Sequence, residues 1–152
     1  MSRRQISVVG AANAPPDLVR LAEAVGRLLA QRGCTVVCGG LGGVMEAVSR
    51  GARKAGGTTI GILPGESIAE ANAWIEHAVA TGIGHARNLA VAASGEAVIA
   101  IGGEWGTASE VAFARKLGRP VVVLGTVLPF AGEGIVRAAT PEEAVELALP
   151  AL

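Results

Sequence analysis

Apolar residues in this chain come in short runs that alternate between two periodicities. Gln5 to Val9 is a run rich in β-branched apolar residues, which predicts a strand. After a loop over Gly10 to Pro16, Asp17 to Arg32 carries Leu18, Leu21, Ala22, Val25, Leu28 and Leu29 at helical spacing and stops at Gly33. Thr35 to Cys38 returns to the strand pattern, and Val44 to Ala55 reads as a helix closed by Gly56-Gly57. Thr58 to Leu63 predicts a third strand ending at Pro64-Gly65, followed by a loop or short helix over Ser67 to Asn72. Ile75 to Thr81 reads as a short strand, Ile83 to Ala93 as a helix around Arg87-Asn88, and Glu96 to Ile101 as a strand. Thr107 to Leu117 is a predicted helix closed by Gly118, and Pro120 to Leu124 a strand. Ile135 to Ala138 is expected at a sheet edge, and Thr140-Pro141-Glu142-Glu143 opens a last helix with Thr as N-cap.

Strands that are continuously apolar, rather than alternating, belong between two layers of helices. Their regular alternation with helices predicts a three-layer α/β architecture, a doubly wound parallel sheet within one domain over residues 1–152. In such sheets the ligand crevice lies at the carboxyl ends of the strands. Two glycine-rich turns fall there: Gly39-Gly40-Leu41-Gly42-Gly43 after Cys38, and Gly102-Gly103-Glu104-Trp105-Gly106 after Ile101.

Composition narrows the function classes. Thirteen Lys and Arg balance thirteen Asp and Glu, so anion selectivity must be local, and with two Trp, two Phe and no Tyr there are no stacking platforms for nucleic acid. No apolar stretch reaches the roughly 18 residues of a membrane span, and Ser2-Arg3-Arg4 is read as leading into the first strand rather than as a targeting signal. Cys34 and Cys38 would lie roughly 13 Å apart on one strand, too far for a disulfide, and are expected to be free buried thiols of a cytoplasmic protein. With two His and no paired Cys, no metal site is predicted.

The second turn is the stronger anion site. Gly102, Gly103 and Gly106 permit positive φ and close backbone approach, while the free N–H groups of the following helix start attract a phosphate. Gly39, Gly40, Gly42 and Gly43 form either a second ligand cradle or only a tight strand-to-helix connection. Thr107 and Glu110 have the spacing of a capping box, so Glu110 either reaches back to the helix start or faces a ligand. Arg87 lies either on an exposed helix surface or in the crevice. Asn13 reads as a turn residue, His77 and His85 as surface or cleft residues, Trp105 as either a cover for the turn or a stacking partner for a base, and Trp74 as core or interface.

These motifs, in this order, resemble the LONELY GUY-like family, once labelled possible lysine decarboxylases, and within it the branch of molybdenum-cofactor carrier-like proteins. The resemblance rests on Cys38 to Ala47, on Gly61-Ile62-Leu63-Pro64-Gly65, on Arg87-Asn88, and on Gly102 to Glu110 followed by Leu117-Gly118-Arg119-Pro120. It covers nearly the whole chain and implies a Rossmann-like fold. By resemblance to the family's phosphoribohydrolases, Arg87 and Glu110 are the candidate catalytic residues. The interval from Arg87 to Gly102 equals the family's interval from its Arg to the Pro of the glycine motif. Asn88 stands where the hydrolases have Lys, Gly102 where they have Pro, and Glu104 where they have Gly; Asn88 and Gly102 are more like the carrier branch.

The expectation is therefore a protein that binds a phosphorylated, nucleotide-like small molecule, an AMP-like nucleotide or the molybdenum cofactor. Gly39, Gly40, Gly42, Gly43, Gly103, Gly106 and Thr107 are the candidate binding residues. The alternative is hydrolysis of a nucleoside 5′-monophosphate to free base and ribose 5-phosphate. No cofactor is required for that reaction, no nucleic-acid or membrane partner is expected, and a homodimer or higher homo-oligomer is.

Overall fold

The computed structural model describes residues 4–125 and 131–149. Seven strands form one sheet, all parallel, in the order β4-β3-β2-β1-β5-β6-β7. They are β1 (Gln5–Gly10), β2 (Thr35–Cys38), β3 (Thr59–Leu63), β4 (His77–Ala80), β5 (Val98–Ile101), β6 (Val121–Leu124) and β7 (Ile135–Ala138). The helices are α1 (Pro16–Gln31), α2 (Val44–Lys54), α3 (Arg87–Ser94), α4 (Trp105–Lys116) and α5 (Pro141–Ala148). The chain steps outward from β1 to β4, then returns through α3 to β5 on the other side of β1. Right-handed crossovers in opposite directions put α1 and α2 on one face and α3 and α4 on the other.

Two cores follow from strand alternation. Ile6, Val8, Val36, Cys38, Ile99 and Ile101 pack under α1, α2 and α5, whereas Val9, Val37, Val98, Ala100, Val121 and Val123 pack under α3 and α4. Ser7 is fully buried among them, and its hydroxyl donates to the Val91 carbonyl at 2.6 Å, which ties β1 to α3 without an unpaired polar atom.

The predicted elements differ from the observed ones mainly at their ends. The expected helix over Ile83 to Ala93 is a 3-10 turn, Gly84–Ala86, that runs into α3, and Ser67 to Asn72 contains a second such turn at Ile68–Glu70. Thr140 caps α5 as its sequence implies: its Oγ1 accepts from Glu143 N–H at 3.1 Å, and Glu143 reaches back to Ala139 N–H at 3.3 Å. The helix after β5 starts at Trp105, two residues earlier than the pattern indicates. Cys34 and Cys38 are free and buried.

The α1–α2 contact is set by two glycines. A Cβ on Gly26 would sit 2.0 Å from the Val48 carbonyl oxygen, and one on Gly51 would sit 2.0 Å from that of Glu23. Because both obstacles are backbone, neither can rotate away. Gly51→Ala should therefore lower stability by about 2 kcal/mol in urea unfolding through overpacking. A gain of about 1 kcal/mol, as helix propensity alone would give, would show that the helices can separate.

Candidate functional site

Where β1 and β5 diverge into their helices, the carboxyl ends of the strands leave a cleft of about 380 Å³. That volume lies within the roughly 300–1,000 Å³ of small-molecule sites, and the place is the reversal point of strand order where such sheets bind ligands. The loop after β1 forms one wall, from Gly10 to Asn13. Leu41, Met45 and Pro64 supply an apolar side, and Arg87, Asn88, Thr107 and Glu110 a polar floor. Asn13, His85 and Glu104 stand exposed at the rim.

The start of α4 faces this space. Gly102 at φ +59° and Gly103 at φ +120° turn the chain sharply after Ile101, and a Cβ on Gly103 would lie 2.4 Å from the Thr107 side chain. The first helical hydrogen bond runs from Ala108 N–H to the Glu104 carbonyl at 2.9 Å, so the amides of residues 105–107 have no partner within the helix. Gly106 and Thr107 line the cleft, and Gly103 lies behind it.

Two expectations are corrected by the early helix start. Thr107 is the third helical residue and not the N-cap, so the capping box with Glu110 does not form; the N-cap is Glu104, whose side chain accepts no cap hydrogen bond. Glu110 is turned into the cleft instead. Gly106 is the second residue of α4, does not adopt positive φ, and has open space where a Cβ would be, so its backbone does not require glycine.

The first glycine turn is arranged differently. Gly39, Gly40, Gly42 and Gly43 do not form part of the cleft wall; their turn presents Leu41 and leads to Met45. A Cβ on Gly39 would come 2.8 Å from Arg87 Nη2 and 2.7 Å from Met45 Sδ, so the missing side chain is what admits the guanidinium. The Gly40 and Leu41 carbonyls accept from the Asn72 side chain at 3.3 and 2.8 Å, and Val44 N–H donates to the Ala11 carbonyl at 2.9 Å. The turn's polar groups are bonded to neighbouring loops.

Arg87 is 7% exposed and held at two points: Nε donates to the Ile62 carbonyl at 3.0 Å, and Nη1 donates to Asn88 Oδ1. Asn88 Nδ2 then donates to Ser109 Oγ at 3.1 Å, and that hydroxyl donates to the Gly106 carbonyl at 2.6 Å. A relay thus links the guanidinium to the first turn of α4. Nη2 has no protein acceptor among the described residues.

Glu110 is also 7% exposed, yet among the described residues its carboxyl has no hydrogen-bond partner and no ion pair within 4 Å. Burial pushes its pKa up to about 8, and the nearby positive charge of Arg87 offsets only part of that. Burial raises the Cys38 thiol in the same way. Among the described residues no group of three His, Cys, Asp or Glu could hold a metal ion, and no helix is long and apolar enough to cross a membrane. Trp105 is 85% exposed and outside the cleft, and Trp74 is half-buried under the Lys54 ammonium, 5.7 Å from the ring centre.

Of the residues the sequence singles out, the structure places Arg87, Gly106, Thr107 and Glu110 on the cleft; the loop after β1, which also lines it, was underweighted. The available signal was Gly10-Ala11-Ala12-Asn13, a run of small residues at the carboxyl end of the first strand.

The carboxyl of Glu110 makes stability depend on pH. Between the ordinary value of 4.5 and about 8 the folded protein holds a proton that the unfolded chain releases, so this stabilising contribution is complete below 4.5 and disappears as pH rises through 8. Urea unfolding at pH 5 and pH 8 should show wild type losing about 1.4 kcal/mol per pH unit across this window relative to Glu110→Gln. Parallel profiles for the two proteins would contradict the buried, unpaired carboxyl.

Comparison with known proteins gives the same fold. The molybdenum cofactor binding protein of Rippkaea orientalis is 37% identical, superposes with a TM-score of 0.91, and is matched over 97% of this chain and 96% of that one. The molybdenum cofactor carrier protein of Chlamydomonas reinhardtii is 35% identical, with a TM-score of 0.87 over 95% and 94% of the two chains. An uncharacterized protein of Archaeoglobus fulgidus is 42% identical over 145 residues, 95% of this chain and 94% of its own. The likeness to the carrier branch read from the motifs therefore extends to the whole fold. With residues 3–147 matched by its profile, the chain belongs to the SLOG cluster4 family.

Proposed function

We propose that this protein binds and carries the molybdenum cofactor, a phosphorylated pterin, in the cleft between β1 and β5. The reading is carried by one observation: the start of α4, whose first amides are unpaired within the helix, and Arg87, whose Nη2 has no protein acceptor among the described residues, line a cleft that also has an apolar side. A phosphate fits the first, through the Gly106 and Thr107 N–H groups and the Thr107 hydroxyl. The face of a flat heterocyclic ring system would pack against Leu41, Met45 and Pro64. Gly39, Gly40, Gly42, Gly43 and Gly103 act on the ligand indirectly, by letting the walls close to these distances. Support comes also from the likeness, at 35–37% identity over nearly the full length, to proteins described as binding or carrying that cofactor.

A second reading is favoured by Glu110. A carboxyl that keeps its proton to about pH 8, beside a guanidinium, is a suitable acid for protonating a leaving base. Water would add to the ribose anomeric carbon as the N-glycosidic bond breaks, giving free base and ribose 5-phosphate.

Mass spectrometry of protein purified from cells that make the cofactor should find a pterin phosphate, and Arg87→Met should weaken binding about tenfold or more through loss of a charge-assisted hydrogen bond. A retained nucleoside monophosphate would favour the second reading. That reading also requires release of adenine from AMP, followed by chromatography and abolished in Glu110→Gln. No base released from any common nucleoside monophosphate would remove it.

A further inference from the structure

Glu110 is a carboxyl with nothing to bind inside the protein. It is 7% exposed, faces the cleft, and among the described residues has neither a hydrogen-bond donor nor an ion pair. It also lies three and four residues after Thr107 and Gly106 on the same helix, so it shares their face at a separation of roughly 6 Å. An anion seated on the amides of α4 would therefore be within one helical turn of this carboxyl. Two negative charges at that separation repel strongly, and either one can be neutralised only by a proton or a cation.

The cation supply is limited. From α3, Arg87 faces Glu110 with Nε and Nη1 already bonded to Ile62 and Asn88. Cys38 approaches from the end of β2, His85 lines the cleft from the 3-10 turn before α3, and Glu104 stands at the start of α4 itself. The loop after β1 and the first turn of α2 contribute no ionisable group to the wall.

We infer that the cleft takes up its anion together with one proton, which Glu110 holds and donates as an O–H hydrogen bond to the anion. This rests on the proposed placement of the phosphate at α4 and not on the identity of the organic part. The balance is simple: below about pH 8 the carboxyl already carries the proton and keeps it as the anion enters, and above about pH 8 one proton from solvent joins the carboxylate as the anion enters and leaves with it. The group at Glu110 must be a hydrogen-bond acceptor such as a phosphoryl oxygen. Loading is independent of this proton below about pH 8 and weakens as pH rises above it, so the protein hands on its ligand more readily in an alkaline setting.

Sulfate tests this without the organic part, because it stays doubly ionised from about pH 5 to 9 and brings no titration of its own. The Glu110 carboxyl is followed by carbon-13 NMR and assigned by its loss in Glu110→Gln, with chloride at equal ionic strength as reference. Saturating sulfate should raise the Glu110 midpoint by about one pH unit. Sulfate affinity should fall about tenfold in all as pH rises from the free midpoint to the sulfate-bound one in wild type, and stay level with pH in Glu110→Gln, whose amide donates in place of the acid. A midpoint that is unmoved or lowered by sulfate overturns the inference, as does an unchanged pH dependence in Glu110→Gln, which would assign the proton to His85 or Cys38. Failure of the carrier reading is separate: molybdenum cofactor binding without proton uptake would keep that reading and remove this inference, whereas a raised midpoint with no cofactor binding would do the reverse.

Discussion

The burial of the Arg87 guanidinium at the point where strand order reverses is the interaction on which the site depends. Removing a guanidinium from water is costly unless its donors are satisfied. Here Ile62 and Asn88 satisfy Nε and Nη1, and the first glycine turn leaves the space for the group by having no side chain at Gly39. The same side chain thus joins the end of β3, the start of α3, the turn after β2 and, through Asn88 and Ser109, the first turn of α4. Its remaining donor, Nη2, lies against Gly39 and has no protein acceptor among the described residues.

This arrangement explains why the chain has two glycine-rich turns but one anion-attracting element. The turn after β2 is packed tightly because it admits Arg87 and bonds to Ala11 and Asn72; its backbone is engaged with the protein. The turn after β5 rises on two positive-φ glycines to a helix whose first amides are unengaged. Similar sequences carry out different physical tasks, one structural and one facing solvent.

The strands and most helices were legible because buried parallel strands are continuously apolar and the helices keep a 3.6-residue period. Arg87, Thr107 and Glu110 were legible as cleft residues through the motif resemblance. What the sequence could not distinguish was whether α4 begins at Thr107 or at Trp105, because both Thr107-x-x-Glu110 and the preceding glycines are compatible with a helix start. That two-residue difference turns Glu110 from a cap into a buried acid and Gly106 from a turn residue into a helical one. The loop after β1 was equally obscure, since Ala11 and Ala12 carry no chemical signature and matter only by being small beside the cleft. Asn88 was visible only as a departure from the hydrolases, whereas in the structure it is the link between Arg87 and α4.

The central claim is that a phosphorylated ligand is anchored on the α4 amides opposite Arg87. A crystal structure of the protein loaded with the molybdenum cofactor tests it most directly. The account predicts phosphate oxygens within hydrogen-bonding distance of the Gly106 and Thr107 N–H groups, with Arg87 Nη2 facing the ligand and the ring system against Leu41 and Pro64. A phosphate held instead on the Gly39 to Gly43 turn, or a cofactor bound outside the cleft, would contradict it.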